Sequence, residues 1–333
     1  MKYNETESGR KGDGMKVLVL GVAGLYGVHL VEELISHQDI CKVYGLDDFS
    51  RGYPPEEDVI TNPWGKKVEI IKERFQDLSL KDLNSLNVDI VIHLAGYNSR
   101  KESINIPEDY FSNNEYGTFQ LMQNLLKTKN RPFFIYASTT EVYGESVYTP
   151  VDEKHHVSPQ NTYAVTKLAA ERHILAIAKL YNYPASILRL TSTFGENQNI
   201  CGYTSVISSF IDRALRNEPL IIYGSGKQLR DFIYVKDAVK AMHLAVVNRG
   251  AIQGYVINIA TGTLTCICDL AEKIKHLTGS SSEIIKLPCE KGDSSGFVIN
   301  TELAQRLLGW APDYQVDEGL LRTICWYKGL KSI

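Results

Sequence analysis

The stretch "KVLVLGVAGLYGVHLVEELISHQ", Lys16 to Gln38, decides the fold. It opens on a short apolar run, 16–20, as in a strand buried on both faces. Gly21, Gly24 and Gly27 follow, and then Val28, Val31, Leu34 and Ile35 recur at helical spacing. Glycine permits a tight turn and lets the backbone approach a pyrophosphate. The free N–H groups and positive dipole end of the helix then hold that pyrophosphate. The spacing G-x-x-G-x-x-G departs from G-x-G-x-x-G, so an ordinary strand–helix turn stays open until the neighbouring elements are read.

Those elements alternate. "KVYGLDDFS" (42–50), "VEIIK" (68–72), "VDIVIHLAG" (88–96), "RPFFIYAS" (131–138) and "ASILRL" (185–190) read as further strands. Long helical patterns cover 108–127 and 161–182, the second opened by Asn161 as a cap. Strands separated by helices imply crossover connections and a parallel sheet. The sequence therefore predicts an α/β protein with a doubly wound, Rossmann-type dinucleotide-binding domain over 15–190. Residues 191–333 read as a smaller mixed α/β region, partly interleaved with the first. Residues 1–14 are polar and read as a disordered leader ahead of the fold.

Composition narrows the function. A net charge of −3 over 333 residues offers no basic footprint for nucleic acid and no polybasic patch for a membrane. The apolar runs fall far short of the ~20 residues of a membrane helix. No signal peptide is visible and the six cysteines form no CxxC pair. Cys266 and Cys268, two apart, would share a face of a strand, and small buried thiols in a reducing cytoplasm are expected rather than a metal site.

Candidate chemistry lies at three places. Asp47, about twenty-five residues beyond the glycine turn, can accept hydrogen bonds from a ribose 2′-OH and would repel a 2′-phosphate, which favours NAD over NADP. A plain loop start is its alternative, and the nearby Arg51 blurs the preference. Tyr163 and Lys167 stand four apart in a helix and share a face. A lysine ammonium there would lower the phenol's pKa and ready it to take a proton from a substrate hydroxyl. The same spacing also occurs on solvated helix faces. Thr139, in "STTEVYG" (138–144), is placed to orient that hydroxyl.

The motifs "GVAGLYG", "DDFSRG", "VIHLAG", "NEYGT", "YASTTEVYG", "YAVTK" and "GSGKQLRDFIYVKDAV" occur in one order. Over residues 15–330 the chain resembles the extended short-chain dehydrogenase/reductases that act on nucleotide sugars: epimerases, dehydratases and decarboxylases. The resemblance implies NAD as cofactor and a nucleotide-diphosphate sugar as substrate. It places Gly21, Gly24, Leu25, Tyr26 and Gly27 at the pyrophosphate turn, and Asp47, Ser50 and Arg51 at the adenosine ribose. Asp77 and Leu78 match the pair beside the adenine. Leu94, Ala95 and Gly96 match the strand end over the cofactor, with Asn114 supporting the site. Thr139, Tyr163 and Lys167 match the catalytic trio; Ser192, Tyr223 and Arg230 fall on the substrate side. Arg230 suits a diphosphate, with an ion pair to Asp231 as the alternative. The helices 108–127 and 162–182 imply a homodimer through a four-helix bundle.

The resemblance also implies a shared first step, oxidation of the sugar at C4 to a 4-ketone. Glu141 resembles the glutamate of 4,6-dehydratases and uronate decarboxylases, a suitable base for the C5 proton that the ketone makes acidic. Thr140 stands where some dehydratases carry an aspartate, and a hydroxyl is a poor general acid. Leu168 replaces an arginine common in decarboxylases, and Ser192 an asparagine common across the family. The expectation is 4,6-dehydratase-type chemistry, then 4-epimerase, then decarboxylase. A non-catalytic NAD-binding regulator is the reading from another class.

Overall fold

The computed structural model describes residues 14–51, 62–198, 205–288 and 296–330. The expected leader, apart from Gly14, lies outside the described residues, as do Cys201 and Cys289.

The strands are β1 (Met15–Leu20), β2 (Ile40–Asp47), β3 (Val68–Lys72), β4 (Ile90–His93), β5 (Phe133–Thr139) and β6 (Ala185–Leu190). They continue as β7 (Ser192–Phe194), β8 (Leu220–Tyr223), β9 (Leu229–Tyr234), β10 (Val256–Ile259), β11 (Leu264–Cys266) and β12 (Ile284–Leu287). Seven of them form a parallel sheet in the order β10-β6-β5-β4-β1-β2-β3. Smaller sheets join β11-β9-β7 and β12-β8.

β1 shows why the apolar runs are continuous. Side chains alternate along a strand, so Val17 and Val19 enter the core on one face while Leu18 and Leu20 enter the core on the other. The helix Leu25–Ser36 covers the first face with Leu30, Val31 and Leu34. The helices Gly117–Lys127 and Thr162–Tyr181 cover the second with Leu121, Leu125, Ile174 and Ile177. The first core also takes in Phe232, Leu270 and Trp310, so the chain beyond residue 190 shares it.

The strand order reverses beside β1. The chain runs outward through β2 and β3, then returns to lay β4 on β1's other side. That reversal opens a crevice at the carboxyl ends of β1 and β4. Gly21 turns there with φ +89°, and a Cβ on it would stand 2.7 Å from the Ala95 nitrogen. Only glycine satisfies both the backbone angle and the approach.

The structure departs from the sequence reading in places. β4 ends at His93, so 94–96 is a loop against β1's turn. The helix expected over 108–127 is one helical run whose middle, Phe111–Tyr116, is a π-helical turn between α-helical Pro107–Tyr110 and Gly117–Lys127. Cys266 closes β11 while Cys268 lies in the next helix, and both are half-buried, so they share no strand face. Among the described residues no helix is long and apolar enough to cross a membrane.

Candidate active site

A cleft of about 1520 Å³ follows the crevice. A single small-molecule site is roughly 300–1,000 Å³, so the cleft has room for two ligands. Its walls include Gly21, Gly24, Leu25, Tyr26, Asp47, Ser50, Arg51, Leu94, Ala95 and Gly96 from the dinucleotide motifs. They include Thr139, Thr140, Glu141, Tyr163 and Lys167 from the chemistry motifs, and Ser192, Tyr223 and Arg230 from the substrate side.

Four expected residues lie off the wall. Gly27 sits in the first helical turn, where a Cβ would overlap the Gly21 carbonyl oxygen, so it permits the turn from behind. Leu78 is 2% exposed and packs in the core beneath the sheet, because the tight turn Phe75–Asp77 carries it inward. Phe75 and Gln76 line the cleft in place of Asp77 and Leu78. Asn114 is buried behind the loop after β4. Its amide accepts from Tyr97 N and donates to Tyr97 O, each at 2.8 Å. It thereby fixes Gly96 beside Lys167.

At the end of β2, the Asp47 carboxylate accepts from Ala23 N and Phe49 N, both at 2.9 Å. Burial pushes its carboxyl upward and these backbone bonds oppose the shift. Arg51, read from sequence as a possible draw for a 2′-phosphate, stacks on Tyr97 with 3.6 Å to the ring centre and pairs with Glu102. Glu102 in turn accepts from Tyr110 Oη at 2.9 Å. Tyr26 of the glycine turn has a partner as well: its Oη donates to Thr193 Oγ1 at 2.7 Å, tying the turn to β7.

β5 delivers Thr139 to the cleft, and the one-turn helix Thr140–Tyr143 follows at once. Thr139 Oγ1 accepts from Glu141 N at 3.2 Å. Glu141 is held from two sides, by Arg100 Nε at 3.4 Å and by Asn161 Nδ2 at 3.1 Å. Asn161 also caps the helix Thr162–Tyr181 through Ala164 N, so one side chain orients the carboxylate and starts the helix bearing Tyr163. Sequence reading saw only the cap. Arg100 gave no signal, because nothing local links it to a residue forty-one positions on.

The tyrosine–lysine pair behaves differently from the expectation. Burial pushes the Tyr163 phenol well above its ordinary value, with the charge of Glu141 adding to it and a Thr139 hydrogen bond opposing. Burial lowers the Lys167 ammonium to about 7, against the charge of Glu171. Desolvation is the largest cause at both groups. Lys167 Nζ lies 4.2 Å from the ring centre of Tyr136. Below it, Glu171 accepts from Arg189 Nε at 3.0 Å and Nη2 at 2.6 Å, and from Ser138 Oγ at 2.5 Å. Sequence reading missed this buried pair, although Lys167 and Glu171 stand one helical turn apart.

On the substrate side, Asp231 turns to the next loop and accepts from Thr261 N, Thr261 Oγ1 and Gly262 N. Lys101 Nζ stands 5.3 Å over the Tyr223 ring. Arg230 reaches the cleft wall from β9.

The residues present fit NAD: two glycines whose side chains would block the turn, a helix N-terminus free of acidic residues, and a carboxylate at the end of β2. Residues 17–260 match the family described as the NAD dependent epimerase/dehydratase family. A protein of Methanocaldococcus jannaschii described as a putative UDP-glucose 4-epimerase is 33% identical over 313 residues, covering 94% of this chain and 98% of its own. The UDP-N-acetyl-alpha-D-glucosaminuronate decarboxylase of Bacillus cytotoxicus is 30% identical over 334 residues, covering 95% and 99%. The solved UDP-glucuronic acid 4-epimerase of Bacillus cereus, in complex with UDP-glucuronic acid and NAD, superposes with a TM-score of 0.87 at 29% identity, over 95% of this chain and all of that one. Similarity that runs from the glycine turn to the last strand of the main sheet, and to relatives of the same length, makes this chain an enzyme of the NAD dependent epimerase/dehydratase family, an extended short-chain dehydrogenase/reductase.

Proposed function

We propose that the chain binds a nucleotide-diphosphate sugar, oxidises its hexose at C4, and carries the 4-keto sugar on by removing the C5 proton and expelling the C6 hydroxyl as water. One observation carries the second half of this reading: Glu141 stands on the cleft wall, clamped by Arg100 and Asn161 and close enough to Tyr163 to act on its charge. A carboxylate held at the same site as the C4 base is placed for a neighbouring, ketone-activated C–H.

The protein's own groups divide the work. Tyr163 takes the 4-OH proton, with Thr139 orienting that oxygen. Bound NAD supplies the acceptor for the C4 hydride and later its return. Glu141 receives the C5 proton and passes it to the C6 hydroxyl, which leaves as water while hydrogen-bonded to Thr140. Arg230 takes the diphosphate and Ser192 and Tyr223 flank it. A second copy of the chain completes the assembly as a homodimer.

A 4-epimerase is the second reading, favoured by the functions named for the Methanocaldococcus jannaschii and Bacillus cereus relatives. A uronate decarboxylase stands third, favoured by the Bacillus cytotoxicus relative. Product mass separates them when the enzyme meets UDP-, dTDP- and GDP-hexoses and a UDP-uronate. Loss of water marks the dehydratase, unchanged mass with inverted C4 the epimerase, and loss of carbon dioxide the decarboxylase. Glu141→Gln should cut water loss by roughly 10²–10⁴-fold while NADH absorbance still reports C4 oxidation. Normal dehydration by that variant would remove Glu141 from the role.

A further inference from the structure

The Leu25–Ser36 helix carries the dinucleotide turn at one end and a second cluster at the other. Glu33 and His37 stand one helical turn apart near its C-terminus, and His243 reaches them from the helix Val235–Val247. Glu33 Oε1 lies 3.3 Å from His37 Nε2 and 3.8 Å from His243 Nδ1, and one donor atom from each residue falls within 4.8 Å of the others. At ~1.5 Å per residue the cluster is roughly 18 Å from the glycine turn, so it is separate from the cleft.

We propose that Glu33, His37 and His243 form a binding site for a divalent transition ion of the zinc type, which clamps the cofactor-binding helix to the helix Val235–Val247.

The donor set gives the ion class. Two imidazoles and one carboxylate suit zinc, cobalt or nickel rather than the all-oxygen preferences of magnesium and calcium. A tetrahedral zinc with ligand bonds of about 2.0–2.2 Å spaces its donors about 3.3–3.5 Å apart. In the stacked arrangement Glu33 stands 3.3 Å from His37 and 3.8 Å from His243, close to that edge, and reorientation of His37 brings the three donors onto one ion. An i, i+4 pair on one helix with a third ligand from a packed neighbour sets three donors on rigid elements. The fourth position is open to water from the exposed side of His37 and Glu33. The negative end of the helix dipole adds attraction for a cation. Lys67 Nζ already exploits that end, donating to the carbonyls of Ile35 and His37 at 2.8 and 2.9 Å.

The two imidazole rings are stacked, with centroids 3.7 Å apart and planes 20° from parallel. A metal lies in the plane of each ring it binds, so loading requires His37, the exposed partner, to swing out of the stack. Binding is thus coupled to a change in its ring environment.

The test uses the full chain after chelator treatment. Titrated cobalt(II) should bind one equivalent with a visible ligand-field band, zinc should displace it, and zinc but not magnesium should raise the melting temperature. Histidine NMR signals of His37 and His243 should shift together. His37→Gln and Glu33→Gln change half-buried side chains at the helix end; each should fold as the wild type and lose cobalt affinity at least about tenfold. The proposal fails if cobalt leaves no band in the wild type, or if both variants keep the band and the affinity, which would place the ion elsewhere on the chain.

Discussion

Lys167 is 6% exposed and sits on an aromatic face, and its ammonium is lowered from 10.5 to about 7. Below pH 7 it is charged in both the folded and the unfolded chain, so the folded state bears the full cost of the buried charge. Between about 7 and 10.5 the unfolded chain binds more protons, and stability rises with pH through that window. At its limit the effect is on the order of 5 kcal/mol. Lys167→Met without cofactor should therefore gain most in melting temperature over the wild type near pH 6, and the gain should shrink steadily toward pH 10. A difference that stays constant across that range would show that the lysine is not desolvated. The pairing of Tyr163 with Lys167 was legible in the sequence because i, i+4 neighbours meet by helix geometry alone. The direction of their pKa shifts was not, because desolvation depends on Tyr136, the 94–97 loop and the rest of the packed surroundings. Arg100 and Glu102 were hidden for the same reason: each acts on a residue brought to it only by the fold.

A single π-helical turn sets the geometry behind the cleft. It keeps helical dihedrals at both of its ends, so in the sequence it reads as part of one continuous helix over 108–127. The turn presents Asn113 to Gln76 at 2.6 Å and Asn114 to both backbone groups of Tyr97. Without Asn114 the loop 94–97 loses its two anchors and leaves buried polar groups unmet, at about 1–3 kcal/mol. Asn114→Ala should lower the melting temperature by a few degrees and weaken NAD binding about tenfold, since Leu94, Ala95 and Gly96 ride on that loop. Asn114→Asp keeps the acceptor for Tyr97 N and loses the donor, so it should fall between wild type and alanine in a cofactor titration. Equal NAD affinity in all three proteins would separate the asparagine from the cofactor wall. The turn Phe75–Asp77 teaches a related lesson. The resemblance put Asp77 and Leu78 beside the adenine, but Phe75 and Gln76 face the cleft because Leu78 packs into the core.

At the scale of the whole chain, the alternation of strands and helices gave the parallel sheet directly, since each buried strand is apolar throughout. What it left open was closure. β10 comes from far along the sequence and pairs with β6 at the sheet's edge, and its four residues carry too little pattern to announce that partner. The outer surface is the remaining question. Phe111 and Tyr116 are 50% and 49% exposed and stack on one another, and Val165 on the neighbouring helix is 46% exposed. Phe119 and His173 bridge the two helices with ring centres 5.0 Å apart. Large apolar side chains grouped on paired helices, with the sheet already covered beneath them, fit a second copy of the same chain in an isologous four-helix contact. A stable interface of this kind buries about 1,200–2,000 Å² in total. Sedimentation of the wild type should give a dimer, and the double variant Phe111→Glu with Tyr116→Glu should sediment as a folded monomer, because four buried carboxylates across a two-fold axis repel and lose their hydration. A wild-type monomer, or a dimer that survives both glutamates, would move the contact off this face.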